Sequence, residues 1–188
     1  MSDSQPDPDA ETAVILDHLP HGRSDDDRPQ YQKQPLAYAV TIDDFRLVEL
    51  TLVADADLSI DDTVDLDADL IETSRTVDYG DLSGGAQSEL AYVIEDVIEE
   101  EQQRFVDFFN DARPITTRLH SLNLLPGIGK KLRNAILDER KRKPFESFEE
   151  LTERVDGLHN PREVLADRIM EEIREDDLKY RTFARREE

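Results

Sequence analysis

The apolar residues of this 188-residue chain change period once, near residue 82, and that change restricts the available folds more than any other feature. Before it, TAVILDHL, LAYAV, FRLVELTLVA, TVDL and LIETSRTVDY are short runs rich in Val, Ile, Leu, Thr and Tyr. Pro, Gly and Asp clusters separate them, which is the pattern of strands and turns. In FRLVELTLV, Phe45, Leu47, Glu49 and Thr51 alternate with Arg46, Val48, Leu50 and Leu52, which predicts one buried face. About five strands in some ~70 residues suit a small OB-like β-barrel over 11–82. After the change, Leu90, Val93, Ile94, Val97, Ile98, Phe105, Phe108 and Phe109 recur at helical spacing opposite Glu95, Asp96, Glu99 and Glu100, predicting one long amphipathic helix over 83–112.

From 113 to 188 the spacing predicts short helices. TTRLHSLNLL and KKLRNAILDERKR are two of them. SFEELTERV opens with Ser147 and Glu150 as a capping box; NPREVLADRIMEEIR opens with Asn160 as cap, Pro161 at the first helical position and Glu163 as partner. LKYRTFARREE is expected to dock as an extended tail, and the polar, Pro-containing residues 1–10 to be a disordered acidic tail. The fold class expected is α+β: a barrel, a connecting helix and an all-α module.

Charge divides along the same line. Up to Asn110 there are 28 acids and six bases, and beyond it 17 of each, so the net charge of −22 lies wholly in the first part. Bases are 17 Arg and only six Lys, and acids 26 Asp and 19 Glu, the balance of a cytoplasmic protein adapted to molar salt, where screening offsets self-repulsion. On that reading the acid reports the solvent and says nothing against nucleic acid as a ligand. Within the neutral part, Arg113 to Lys143 holds nine bases and two acids, a local patch that requires a reason.

Several classes of chemistry are excluded. With no Cys there are no disulfides, thiolate metal sites or cysteine nucleophile. No apolar run approaches the ~18 residues of a membrane span, and MSDSQPDPDAE lacks the basic and apolar regions of a secretory signal, so a cytoplasmic location is expected. Asp65-x-Asp67-x-Asp69 suggests a calcium loop but has Leu70 where glycine is needed and Thr76 where a bidentate Glu is needed. His18 and His21 are parted by Leu-Pro, and His120 and His159 have no carboxylate cluster, so no metal is expected. There is no P-loop, nucleophile elbow or Rossmann fingerprint, and carboxylates are too numerous for any pair to stand out as a dyad. A non-enzymatic protein without cofactor is expected.

The informative stretch is LNLLPGIGKKLRNAIL, residues 122–137. Pro126 ends one helix, Gly127 and Gly129 permit positive φ and close approach, and Ile128 turns inward beside Leu125 and Leu132. The next helix then begins with bare N–H groups at its positive end, a place for one phosphate. Lys130 and Lys131 follow at once, and Lys130, Asn134 and Lys141 share the side opposite Leu132 and Ile136. The expected contacts are Gly127, Ile128, Gly129, Lys130 and Lys131, flanked by Arg133, Asn134, Lys141 and Lys143.

This stretch resembles the helix-hairpin-helix motif, whose glycine turn grips a nucleic-acid phosphate without reading sequence. KPFESFEELTERVDGL resembles the start of a second hairpin, and Val155–Pro161 has one glycine and no lysine, which makes that copy structural. Over residues 12–185, the blocks RPQYQKQPLAYAV, the long acidic helix, TTRLHSLNLLPGIGKKL, KPFESFEEL and KYRTFAR together are similar, in order and spacing, to an uncharacterised archaeal family of predicted RNA-binding proteins. The resemblance implies an OB-like barrel joined to a helix-hairpin-helix module and a nucleic-acid ligand, and supplies no catalytic residue. Sequence-independent RNA binding is the expected function; protein interaction or assembly, and a DNA-binding repair accessory, are the alternatives. A second contact is expected at Arg28, Tyr31 and Lys33, where cations lie beside an aromatic on which a base could stack.

Lowering the salt from molar to about 10 mM lengthens the Debye length from about 3 to about 30 Å, so the acidic, strand-rich part should loosen before the neutral helical part. Hydrogen exchange across a salt titration tests this; equal protection of both parts at low salt contradicts the halophilic reading.

Overall fold

The computed structural model describes residues 11–186; the expected acidic tail, 1–10, lies outside the described residues. The strand-rich part is a five-stranded antiparallel sheet of β1 (Thr12–Leu19), β2 (Leu36–Thr41), β3 (Leu47–Leu52), β4 (Thr63–Asp65) and β5 (Ile71–Thr76). Strand order is β4-β1-β2-β3-β5, so the sheet curls as a half-barrel whose two edges, β4 and β5, do not pair with each other. The mixed α+β class and the five strands match the sequence-based expectation.

Among the described residues, 11–93 with 172–186 form one compact unit and 94–171 another. The division falls inside two helices, α1 (Gly84–Glu100) and α5 (Pro161–Arg174), whereas the apolar period changes near 82. Period follows element type, and units follow contacts.

In the sheet unit, one face buries Ala13, Ile15, Ala37, Ala39, Val48, Leu50 and Leu52 in a core that Leu58 and Val64 complete. One buried face is expected in β3 and the structure buries more: all its residues but Thr51 are buried, because it lies between β2 and β5 and both its faces are covered. Only Glu49 breaks the apolar character there, and it is paired with Arg23 and Arg75. A bulge between Ile15 and Asp17 shifts the register of β1 so that Asp17 stands opposite Tyr38. The start of α1 lies on that face: Ser83 donates to the Asp17 carboxylate at 2.6 Å and caps the N–H of Ala86. A Cβ on Gly85 would meet Asp17 Oδ2 at 2.9 Å, so any larger residue there would displace the Asp17 carboxylate from its place beside Ser83.

The predicted long helix is two: α1 ends at Glu100 and α2 (Gln102–Asp111) follows. Glu101 leaves helical dihedrals at φ −105° and ψ 37°, and its carboxylate takes Arg104 of the new first turn at 2.7 Å. The predicted helix TTRLHSLNLL is also absent. Thr116 Oγ1 accepts from the N–H groups of Arg118 and Leu119, and Pro114 bridges to His120, leaving only a 3₁₀ turn over Ser121–Leu124. At Thr116 and His120, side-chain acceptors compete with the helical backbone. The remaining helices form as expected: α3 (Lys130–Arg142), α4 (Phe148–Arg154) and α5. Ser147 caps Glu150 at 3.0 Å, though the Glu150 carboxylate accepts from the N–H of Glu146 instead of closing the box.

The tail docks as expected, on the sheet unit. Glu172 is fully buried, and one oxygen accepts the N–H groups of Thr182, Phe183 and Ala184 at 2.7, 2.9 and 3.2 Å; Arg185 N then donates to Asp44 O. Hydrogen bonds to a buried carboxylate are charge-assisted, so Glu172→Ala should cost about 3 kcal/mol and free residues 178–186. Trypsin cleavage after Lys179 and Arg181 reads this out; a tail that resists in the variant as in the parent would show that other contacts hold it.

Candidate functional site

The turn before α3 is shaped by three buried anchors, Leu122, Leu125 and Ile128, which pull the chain inward on either side of two exposed glycines. Gly127 has φ +80°, the left-handed region that glycine adopts without strain. Gly129 differs from expectation: φ −87° and ψ −170° are extended values open to any residue. A Cβ there would meet nothing within 4 Å. Neither backbone conformation nor packing within the chain calls for glycine at 129, and its missing side chain leaves the helix start uncovered from outside.

The donors there are fixed. Asn123 Nδ2 donates to the Ile128 carbonyl at 3.0 Å, and its Oδ1 accepts from Arg133 at 3.1 Å. A trans peptide points its N–H opposite its C=O, so anchoring the Ile128 carbonyl turns the Gly129 N–H away from Asn123. No side chain caps α3, and among the described residues no group accepts from the N–H of Gly129, Lys130, Lys131 or Leu132. These donors stand at the positive end of a 13-residue helix beside two exposed lysines. Such an arrangement can hold an anion.

The turn before α5 is built alike and closed. Gly157 has φ +92° where Gly127 has +80°, Leu158 and Ile128 are both buried, and each bonds back three residues, at 3.3 and 3.2 Å. Asn160 Oδ1, however, accepts from Glu163 N, its Nδ2 donates to the Glu163 carboxylate, and Pro161 has no N–H to offer. The side chain of Leu132 lies 3.8 Å from the Cβ position of Gly157, so the two turns adjoin.

The other expected contacts divide. Arg133 is half-buried and tied to Asn123 and Asn134. Lys130, Asn134 and Lys141 share the outer side of α3, but Lys141 lies about 17 Å along the axis from Lys130, too far for the same phosphate. Lys143 follows the end of α3 and comes within 4.0 Å of Glu146. Arg140, one of the nine bases of the patch, points inward and donates to the carbonyls of Phe109 and Ala112. In the sheet unit, Arg28 is taken by Asp26 through Nε and a terminal nitrogen, holding that carboxyl well below the usual carboxylate range. Lys33 is half-buried, and Tyr31 stands 85% exposed on a 3₁₀ turn, Gln30–Gln32. Tyr38 belongs to the core.

Sequence reasoning did not single out Asn123 and weighed His120 only as a metal ligand, yet both brace the turn. Asn123 sits five residues before the carbonyl it holds, a spacing with no helical or strand meaning. His120 is buried, and its Nδ1 accepts from Leu122 N at 3.1 Å.

Comparison with known proteins adds three findings. A family model described as a protein of unknown function (DUF655) matches residues 9–185. An uncharacterised protein of Methanocaldococcus jannaschii is 36% identical over 178 residues, covering 92% of this chain and 79% of its own length. A crystal structure of an Archaeoglobus fulgidus protein of the same family superposes with a TM-score of 0.86 at 40% identity, covering 93% of this chain and 99% of that one.

His120 accepts through Nδ1, so its proton is on Nε2 and the ring is neutral. Burial first, then Arg140 and Arg133, lowers its pKa from the ordinary 6.5. The unfolded chain therefore takes up the proton more readily. Stability from this group is complete above the unfolded value and is lost as pH falls below about 6.5 toward the folded one. Melting at pH 7.5 and 5.5 should show this loss in the 94–171 unit, and His120→Asn, which keeps an acceptor but no titrating ring, should flatten it. An unchanged pH slope would assign the loss to other groups.

Proposed function

The chain belongs to the DUF655 family, whose activity its description leaves open, and from that premise we propose that it is a non-enzymatic protein that grips RNA by its phosphates, without reading sequence, at the turn before α3. The observation that carries this reading is Gly129. The chain needs glycine there neither for φ nor for packing, yet the residue opens a row of backbone N–H groups at a helix start that its sister turn closes with Asn160. Lys130 and Lys131 add charge at the same end, Arg133 and Asn134 flank it, and Lys141 and Lys143 stand at the other end of α3. We read the turns before α3 and α5 as a pair of helix-hairpin-helix elements, one binding, with the 3₁₀ turn Ser121–Leu124 in place of its first helix, and one structural, and the half-barrel as OB-like.

The barrel and the family resemblance favour RNA over DNA; Tyr31 offers a stacking surface of the kind used on single strands. The protein works, on this reading, in a cytoplasm of high salt. There simple charge pairing contributes little, since affinity falls steeply with salt, and fixed backbone donors keep their value because they depend on geometry.

The extended backbone at Gly129 accepts Val, so Gly129→Val fills the approach to the N–H groups while leaving the fold and every cation in place. Binding to single-stranded RNA should be lost. Lys130→Ala with Lys131→Ala should instead weaken binding equally across sequences and lower the salt slope by about two. Binding isotherms over a salt series, with circular dichroism as the check on folding and single-stranded DNA as the second ligand, test both. A folded Gly129→Val variant that binds RNA like the parent would overturn the hairpin mechanism and favour a protein-interaction role; stronger binding to DNA would move the ligand class.

A further inference from the structure

The sheet unit carries a polar row that the hairpin reading does not use. Asp17 on β1 pairs with Tyr38 on β2, Tyr38 with Glu49 on β3, and Glu49 with Arg75 on β5, so four strands place these side chains side by side on one face. Glu49 is only 7% exposed. Its Oε1 accepts from Arg75 Nε at 2.9 Å, and its Oε2 is paired with Arg23, which comes over from the β1–β2 loop and also neighbours the Tyr38 hydroxyl. Burial pushes the Glu49 carboxyl up, but the two guanidiniums outweigh it and hold it below its ordinary value.

One guanidinium would neutralise one buried carboxylate, and here there are two. Arg75 spends Nε on Glu49, while among the described residues its two terminal nitrogens have no partner and its side chain is 60% exposed. Beside them opens a cleft of about 460 Å³, lined by Arg23, Tyr38 and Arg75 and bounded by Asp25 and Asp81. That volume is in the range of small-ligand sites. Two guanidiniums fixed by a shared carboxylate present forked donors of the kind that match a phosphate. The two aspartates repel a bare anion, and they favour a ligand that also brings hydroxyl or amino donors. A nucleoside phosphate combines both sets of groups.

We propose that the cleft formed by Arg23, Tyr38 and Arg75 around the buried Glu49 binds a nucleoside phosphate, either a free mononucleotide or one residue of a single-stranded RNA. The phosphate lies across the two guanidiniums, and ribose hydroxyls or an exocyclic amine reach Asp25 and Asp81. The site belongs to the sheet unit and does not depend on the turn before α3.

Titration calorimetry of the full chain in molar KCl with AMP, with UMP and with a ten-residue oligouridylate tests the proposal. Arg75→Ala leaves Glu49 paired with Arg23, and should weaken binding by about tenfold or more. Arg75→Lys, which keeps the charge and loses the fork, should fall between the variant and the parent. Gly129→Val blocks any phosphate binding at the turn before α3, so the Arg75-dependent part of mononucleotide binding should persist in that background. Binding of AMP or UMP that is sensitive to Arg75 identifies a free nucleotide. Loss of oligonucleotide affinity in Arg75→Ala made in the Gly129→Val background, without mononucleotide binding, identifies the RNA strand. If neither probe binds in a way that Arg75→Ala alters, including no binding at all, the proposal is overturned, whatever the fate of the hairpin reading.

Discussion

One extra residue in β1 sets the arrangement of the whole sheet unit. Because side chains alternate across a strand, the bulge between Ile15 and Asp17 moves every later position of β1 to the opposite face. Asp17 thereby comes to the face of Tyr38 and Glu49, where its carboxylate receives Ser83 and sits against Gly85. The beginning of α1 is thus fixed by a carboxylate near its N-terminus, the end of a helix where negative charge is stabilising. Without the bulge, Leu16 would stand opposite Tyr38 and the polar row would end at β2.

In the helical unit the corresponding constraint is the satisfaction of backbone donors. A helix start leaves N–H groups that must find side chains, water or a ligand. The turn before α5 closes this account internally with Asn160, Glu163 and Pro161. The turn before α3 has the same positive-φ glycine and the same buried anchor one residue later, and it spends its side-chain amide, from Asn123, on the inner carbonyl. Two turns of one backbone form therefore differ in where their polar atoms face, one toward the chain and the other away from it.

Much of this was legible in the residues. β-branched runs parted by turn residues located five strands, and the caps at Ser147 and Asn160 located α4 and α5, because these signals act over a few positions. The glycine turn and its lysines were legible for the same reason. What escaped was settled by contacts distant in sequence or by competition within a few residues: Glu49 gains its meaning from Arg23 and Arg75, 26 positions away on either side. Asn123 gains its own from a carbonyl five residues on, and TTRLHSLNLL, helical by spacing, is unwound by acceptors at Thr116 and His120. Arg140 counts as a surface cation in the sequence, and only its two carbonyl partners show it turned inward.

The sheet unit is assembled from two separate stretches, 11–93 and 172–186, joined where Arg185 N donates to Asp44 O and where Arg174 lies over the Tyr79 ring. Chains emerge from the ribosome in order, and compact units tend to fold as they become available. The helical unit, 94–171, is continuous and is complete before the sheet's last stretch has been made. The strands therefore wait, already translated and lacking their strap, while some eighty later residues are added, and β5 passes that interval as an edge of Glu72, Thr73, Ser74 and Arg75 rather than of aliphatic side chains. A polar, charged edge is a poor template for another nascent chain, so the composition of β5 protects the half-built sheet during synthesis.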